Sequence, residues 1–166
     1  MKKSLFLFIL LIVSAVTFGQ VSATANISET IVQPLTITKV IDMDFGNVAI
    51  DAVAGTVVLA PNGSRTKTGG AILTAVTGTP AAAVFNLTGA SNYTYAISLP
   101  TSGVNVKFGN NTMVVNNFTS SPTPTGTLGV NGKDVVNVGA TLNVLPNQAA
   151  GTYHQETPFT VTVNYN

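Results

Sequence analysis

The chain has 166 residues, a net charge of +1, only 8% charged side chains, one histidine and no cysteine. These values exclude disulfides and cysteine-ligated metal centres, and they argue against a structural zinc site and a nucleic-acid partner. The length fits one domain with a hydrophobic core.

Residues 1–19 have the layout of a secretory signal peptide. Two lysines precede an apolar run at 5–16, and small and polar residues follow as far as Gly19. The apolar run is shorter than the ~20 residues that a membrane-spanning helix needs. We therefore predict cleavage after Gly19, with Ala23 or Ala25 as alternative sites. We expect an extracellular or outer-cell-surface location and no transmembrane segment in the mature chain, which would carry five basic and six acidic side chains, a net charge of −1.

Residues 20–33 are interpreted as an N-terminal arm or as the first strand of the domain. Apolar and polar residues alternate along them, so an extended chain presents one apolar edge, interrupted by Glu29. Such an edge suits strand addition, in which a segment pairs with an open sheet of another subunit and fills alternate pockets. Pro34 would mark the hinge. Against this hypothesis, burying Glu29 unpaired would be costly, which favours a first strand within the same domain. The apolar positions that form the candidate donor strand are Ala23, Ala25, Ile27 and Ile31.

Residues 34–166 are assigned to one all-β domain. Their apolar residues recur with period 2, and no window of a dozen residues shows the apolar spacing of a helix. Short strands separated by Gly, Pro and Asn indicate an immunoglobulin-like β-sandwich of short antiparallel strands. Asn131-Gly132 predicts a two-residue hairpin, and segments 64–70 and 120–126 are expected to be turns. The predicted strands cover residues 35–41, 55–60, 71–76, 83–88, 93–99, 112–118, 133–138, 141–145 and 159–165.

The chain offers few groups for catalysis or metal binding. His154 falls in a predicted turn before the last strand, and no set of acid, base and nucleophile can be assembled without it. Asp42 and Asp44 are two residues apart in a predicted strand, with Asp51 just beyond, but their spacing matches no calcium loop. Glycoside hydrolysis would require one of these carboxyl groups to be desolvated in a cleft. We therefore predict a protein that is not an enzyme, has no cofactor, and carries these groups in solvent.

The order of short motifs resembles the secreted bacterial domains called domain of unknown function 4402. The matching segments are Pro34-Leu35-Thr36-Ile37-Thr38, Met43-Asp44-Phe45-Gly46, Gly63-Ser64-Arg65-Thr66, Phe85-Asn86-Leu87-Thr88-Gly89, Tyr93-Thr94-Tyr95, Val138-Gly139-Ala140-Thr141-Leu142, Gly151-Thr152-Tyr153 and residues 159–165. Phe45-Gly46 and the last two segments are also similar to spore coat U domains and archaic chaperone-usher pilins. That resemblance implies an immunoglobulin-like sandwich whose subunits polymerise by lending a strand to a neighbour, although this chain lacks the cysteines of that group.

Taken with the composition, the resemblance favours a non-catalytic structural or adhesive subunit, fimbrial or coat-like, at a bacterial surface. Its partners would be other copies of the chain or related subunits. The alternative is a secreted carbohydrate-binding module that uses exposed aromatic residues, for which Tyr93, Tyr95 and Tyr153 are the candidates. Tyr93 and Tyr95 share a predicted strand face with apolar residues, which indicates core rather than a binding platform. Apart from the resemblance, Phe45 is expected in the core, Gly46 at a bend, and Tyr153 closing a turn.

Overall fold

A computed structural model of the chain describes residues 20–76 and 78–166. Within these residues the chain forms eleven strands and no helix. It divides into two units, Met1–Ile31 and Val32–Asn166, and all eleven strands belong to the second. The strands are β1 (Thr36–Ile41), β2 (Val48–Leu59), β3 (Arg65–Leu73), β4 (Ala83–Thr88), β5 (Thr94–Ser98), β6 (Val104–Phe108), β7 (Asn111–Ser121), β8 (Thr125–Thr127), β9 (Lys133–Val144), β10 (His154–Gln155) and β11 (Thr162–Tyr165). The predicted signal peptide, 1–19, lies outside the described residues.

The strands form two antiparallel sheets, which confirms the predicted all-β sandwich. One sheet has eight strands and runs β1-β4-β9-β7-β6-β10, with β2 and β3 continuing from β9 on the side of β4. The other has three strands in the order β11-β5-β8. Strand pairing is therefore antiparallel throughout, as expected for a chain whose connections are short turns.

Strand β9 organises the large sheet because its two halves have different neighbours. Residues up to Val138 pair with β4, whereas Ala140 to Val144 pair with β2. Gly139 lies between the halves, where an added Cβ would overlap the carbonyl oxygen of Leu59 and the backbone at Ala60. Only glycine permits so close a backbone approach. The predicted strands 133–138 and 141–145 are therefore one continuous strand.

The Asn131-Gly132 turn forms, but it does not join two strands of one sheet. The Lys133 amide donates to Asn131 Oδ1 at 3.1 Å, and Gly132 has a φ of 68°. On the other side of the turn, the Leu128 amide donates to the Tyr93 carbonyl at 2.9 Å, in the layer of the small sheet. The prediction of a hairpin was wrong because the chain changes sheets here.

Other strand boundaries also differ from the prediction. β3 begins at Arg65, so most of segment 64–70 is strand rather than exposed turn, and the turn lies before it at residues 61–63. β6, β8 and β10 were not predicted, and β11 begins at Thr162 rather than at residue 159. β4 matches the predicted bounds, and β1 begins one residue later than predicted.

The small sheet covers only one end of the large sheet's inner face. The core between the two sheets contains fully buried Tyr95 and Leu128 from the side of the small sheet, packed against Leu87, Val136 and Val138 of the large sheet. A second core cluster belongs to the other end of the large sheet. Its buried members are Val57, Ala71, Met113, Val115, Ala140, Leu142 and Val144, all on strands of the large sheet. No strand of the small sheet contributes to this cluster among the described residues, so its cover must come from connecting segments.

The described part of the first unit, residues 20–31, contains no helix or strand, and its side chains are exposed. Among the described residues, β1 is the first strand.

Candidate functional site

The second core cluster borders an open cavity of about 1050 Å³. Its floor is the inner face of the large sheet, where apolar side chains alternate with residues on the opposite face. The floor side chains are Val104, Val106, Met113, Val115, Leu142 and Val144. Phe118 and Phe159, both half-buried, line the cavity toward the core between the two sheets. The floor is therefore an apolar surface that remains partly open.

Two connecting segments form the wall of this cavity. In the first, residues 42–50, half-buried Phe45 packs against the second core cluster, as predicted, and Gly46 has the left-handed φ of 66° expected at a bend. Arg65 holds this segment because its Nη1 donates to the carbonyl oxygens of Phe45 at 2.6 Å and Asn47 at 3.2 Å. The guanidinium thus has a structural role.

Tyr153 closes the second wall segment, residues 148–155, as predicted. Its hydroxyl donates to the Ala149 carbonyl at 2.8 Å and accepts from Gln148 Nε2 at 2.8 Å. Its ring lies 5.8 Å from that of Phe108, measured between centroids. An added Cβ at Gly151 would overlap the Phe108 ring, so glycine lets the segment pass close to that ring. The Tyr153 hydroxyl therefore ties the start of this wall segment, at Gln148 and Ala149, to its end.

The predicted carboxylates do not assemble into one site. Asp42 forms an exposed ion pair with Lys39 at 2.6 Å. Asp44 sits instead in an isolated bridge opposite Ala81, where its Oδ1 accepts from the Gly46 amide at 2.7 Å. Asp51 accepts from the amide of the residue that follows it. Within residues 20–76 and 78–166, no group of three His, Cys, Asp or Glu side chains has the arrangement of a metal site.

His154 lies in a strand rather than in the predicted turn. His154 belongs to β10 and is the cross-strand partner of Lys107 in β6. Its side chain is exposed at the edge of the cavity. The next acidic residue, Glu156, pairs with Lys107 at 2.8 Å. Asp42 and Asp44 also border the cavity, so its mouth carries polar and acidic groups around the apolar floor.

The three tyrosines proposed for sugar binding do not form a platform. Tyr95 is fully buried, and its hydroxyl donates to Asp134 Oδ2 at 2.6 Å. Tyr93 is 43% exposed but packs edge-on against Tyr165, and the Tyr153 hydroxyl is engaged in its own segment. Burial raises the pKa of Tyr95 well above its usual range, and the hydrogen bond and negative charge of Asp134 act in the same direction. Tyr95 therefore belongs to the core, as the strand face that it shares with apolar residues indicated.

The candidate donor strand consists of exposed side chains. Ile27 and Ile31 are 98% and 94% exposed, and Val21 on the same edge is 99% exposed. Ala23 and Ala25 are also exposed, and Glu29 interrupts the edge as the sequence indicated.

Sequence reasoning missed the cavity because its parts are remote in the chain. The predicted strand 112–118 contains Met113 and Val115, which lie on the floor of the cavity. It contained no signal that the small sheet stops short of them. Segments 42–50 and 148–155, which wall the cavity, have no regular pattern of their own.

Within the part of the chain that the structure describes, no helix has the length and apolar character required to cross a bilayer.

The fold and site define a cysteine-free β-sandwich in which a large sheet is only partly covered by a small one. The chain belongs to the family described as Domain of unknown function (DUF4402), whose model matches residues 35–165 and so covers all eleven strands. This confirms the family resemblance seen in the sequence. No curated protein and no solved structure matches the chain.

Proposed function

We propose that the protein is a non-catalytic structural or adhesive subunit, fimbrial or coat-like, that is exported by a signal peptide and acts at the outer surface of a bacterium. We further propose that its copies join by strand addition. The observation that carries this proposal is the exposed apolar edge of residues 20–31. Two isoleucines that are more than nine-tenths exposed in one short segment are an unusual use of apolar side chains in an isolated subunit.

The energetics favour strand addition over simple apolar contact. Burying one isoleucine contributes roughly 1.5–3 kcal/mol, whereas ordering the backbone costs about 1–2 kcal/mol for each residue. Ile27 and Ile31 alone cannot offset the ordering of a twelve-residue arm. A strand that pairs along a sheet edge gains main-chain hydrogen bonds as well, and it places alternate side chains in pockets. The alternation of the arm has the period that this geometry requires.

The open cavity of a second copy is the acceptor that we favour. The floor of this cavity is apolar, and no strand of the small sheet lies above it. The strands that line the cavity also point alternate side chains inward, which matches the period of the arm. An extended arm of residues 20–31 spans about 40 Å, which exceeds the length of β6, a strand at the cavity that pairs with β10 over only two residues and so offers a sheet edge. Asp42 and Asp44 at the mouth would repel Glu29. We therefore expect Ile27 to enter the cavity while Glu29 stays in solvent.

Deleting residues 20–31 from the mature protein tests the role of the arm. We expect a folded domain with an unchanged β-sheet circular dichroism spectrum that no longer forms oligomers in size-exclusion chromatography with light scattering. A truncated chain that fails to fold would instead assign the arm to its own sandwich and contradict the proposal.

A pair of matched double variants separates the apolar edge from the arm as a whole. Ile27→Asp with Ile31→Asp places two charges on the apolar edge, whereas Thr24→Asp with Thr30→Asp places the same charges on the opposite edge. We expect only the first pair to abolish oligomers, because the carboxylate introduced at Ile27 would be buried in an apolar cavity, which is costly. Equal effects of the two pairs would show that net charge, not edge-specific pairing, controls assembly.

A further inference from the structure

The outer face of the large sheet carries two ranks of neutral side chains. Cross-strand register places these residues side by side on β3, β2, β9, β7 and β6. On β2, β9, β7 and β6 their neighbours along the strand belong to the second core cluster or line the cavity. The first rank is Thr68, Thr56, Asn143, Val114 and Asn105. The second rank is Thr66, Val58, Thr141 and Asn116.

Side-chain hydrogen bonds hold parts of both ranks in place. The hydroxyls of Thr56 and Thr68 share a hydrogen bond of 2.6 Å. Asn143 Nδ2 donates to Asn116 Oδ1 at 3.0 Å, which links the first rank to the second. These amides and hydroxyls therefore have little rotamer freedom to lose when a ligand binds, which lowers the entropic cost of binding.

The two ranks form an uncharged surface whose side chains differ in exposure. Neither rank contains an ionisable residue. Exposure decreases from the ends toward the centre: Thr68 and Asn105 are exposed, Thr56 and Asn143 are half-buried, and Thr141 is only 9% exposed. The strand spacing of about 4.8 Å gives the first rank a length of roughly 19 Å, and the ranks are about 7 Å apart.

We propose that this face binds an extended, uncharged polysaccharide whose chain runs along the ranks and across the strands. Hydroxyl and amide groups offer donors and acceptors that match sugar hydroxyls, and Val58 and Val114 offer apolar contact to sugar ring faces. The spacing of the strands is comparable to the length of one sugar unit in an extended chain, so each unit meets a new side chain. An anionic polysaccharide would find no cation in either rank. This inference is independent of strand addition and uses no residue of the arm or of the cavity.

Two valine substitutions test the face with matched chemistry. Val58→Glu introduces a charge in the second rank, and Val135→Glu introduces the same charge on the outer face of β9 opposite Asn86, outside the ranks. The two valines are 36% and 44% exposed, so both substitutions are tolerable for the fold. The probes are microcrystalline cellulose and chitin in pull-down assays, and hydroxyethylcellulose and alginate in affinity gel electrophoresis.

We expect the unmodified protein to bind at least one of the neutral probes and not alginate. Val58→Glu should weaken that binding by about tenfold or more, because the glycan would have to desolvate a carboxylate, whereas Val135→Glu should bind as the unmodified protein does. Thr66→Glu, on the exposed edge strand, serves as a second rank variant if Val58→Glu does not fold. Four results would overturn the proposal: no binding to any neutral probe, preference for alginate, equal loss in both valine variants, or an oligomer that only the rank variants dissociate, which would assign the face to a second copy.

Discussion

Replacing Tyr95 with phenylalanine should destabilise the protein in a pH-dependent way. The ring is fully buried in the core between the sheets, and its hydroxyl donates to Asp134 Oδ2 at 2.6 Å. Phenylalanine keeps the ring and its packing but removes the donor. A hydrogen bond to a charged group contributes about 1.5–3 kcal/mol, so we expect Tyr95→Phe to lower the free energy of unfolding by about that amount at neutral pH.

The same contact sets the direction of the pH dependence. The pKa of Tyr95 is raised in the folded protein, first by burial and then by Asp134, whereas an unfolded tyrosine has a pKa near 10. The stabilisation is therefore complete below about pH 10 and is lost as the pH rises toward the folded pKa, at about 1.4 kcal/mol per pH unit for this one group. Tyr95→Phe has no such group, so its disadvantage should shrink over that interval.

Urea denaturation of both proteins at pH 7, 10 and 11 measures this effect, since the other titrating groups are shared and cancel in the difference. We expect the difference in the free energy of unfolding to fall by about 1 kcal/mol between pH 10 and pH 11. A difference that stays constant across the three pH values would refute the assignment of the hydroxyl as a buried, neutral donor to Asp134.

Three further predictions follow from the packing. Gly139→Ala should lower the free energy of unfolding by more than about 3 kcal/mol or prevent folding, because its Cβ would overlap the backbone at the end of β2. Thermal denaturation measures this loss, and a fully stable variant would mean that the two strands separate easily there. Tyr165→Phe should cost about 1–3 kcal/mol in urea denaturation, because the Ala90 amide loses its 2.7 Å acceptor, and no loss would imply that water replaces the hydroxyl. Leu128→Ala should lower the free energy of unfolding in urea denaturation by about 2–5 kcal/mol, because Leu128 is buried in the core. The control, Leu145→Ala at a 57% exposed site, should lower it by less than about 0.5 kcal/mol, and similar losses would contradict the assigned core.

The fold class was predictable from the sequence because most strands have one buried face. β4 was predicted with its observed bounds, since Ala83, Phe85 and Leu87 alternate with residues on the outer face. β3 was misplaced for the opposite reason. At its start, the edge strand carries polar or charged residues on both faces, so Arg65 and Lys67 resemble a solvated turn.

Short strands and sheet changes depend on tertiary contacts rather than on local pattern. β8 has three residues and β10 has two, which is too few for any period to appear. The Asn131-Gly132 turn has the composition of a hairpin, but the sheet that receives the following strand is decided by distant pairing. β9 appeared as two strands because Gly139 interrupts the alternation, and the reason for that glycine is visible only when β2 lies beside it.

Of the candidate site, only the donor segment, residues 20–31, was predictable from the sequence. The alternation of residues 20–31 is local and was visible in the sequence, and whether it acts as a donor stays a prediction. The cavity arises because a three-stranded sheet covers part of an eight-stranded one, which no local pattern encodes. The ranks of the outer face were equally hidden, because they run across four or five strands and exist only through register.

The Tyr165 hydroxyl also has a mechanical consequence. It donates to the Gln33 carbonyl at 2.9 Å while it accepts from the Ala90 amide, so one side chain near the C-terminus holds the chain just before β1. In a filament of subunits joined by their arms, tension along residues 20–31 would reach Gln33 before it reached any strand. Through the Tyr165 hydroxyl, part of this force would pass to β11, which pairs with β5 over four residues. The segment before β1 and strand β11 would therefore resist the tension together.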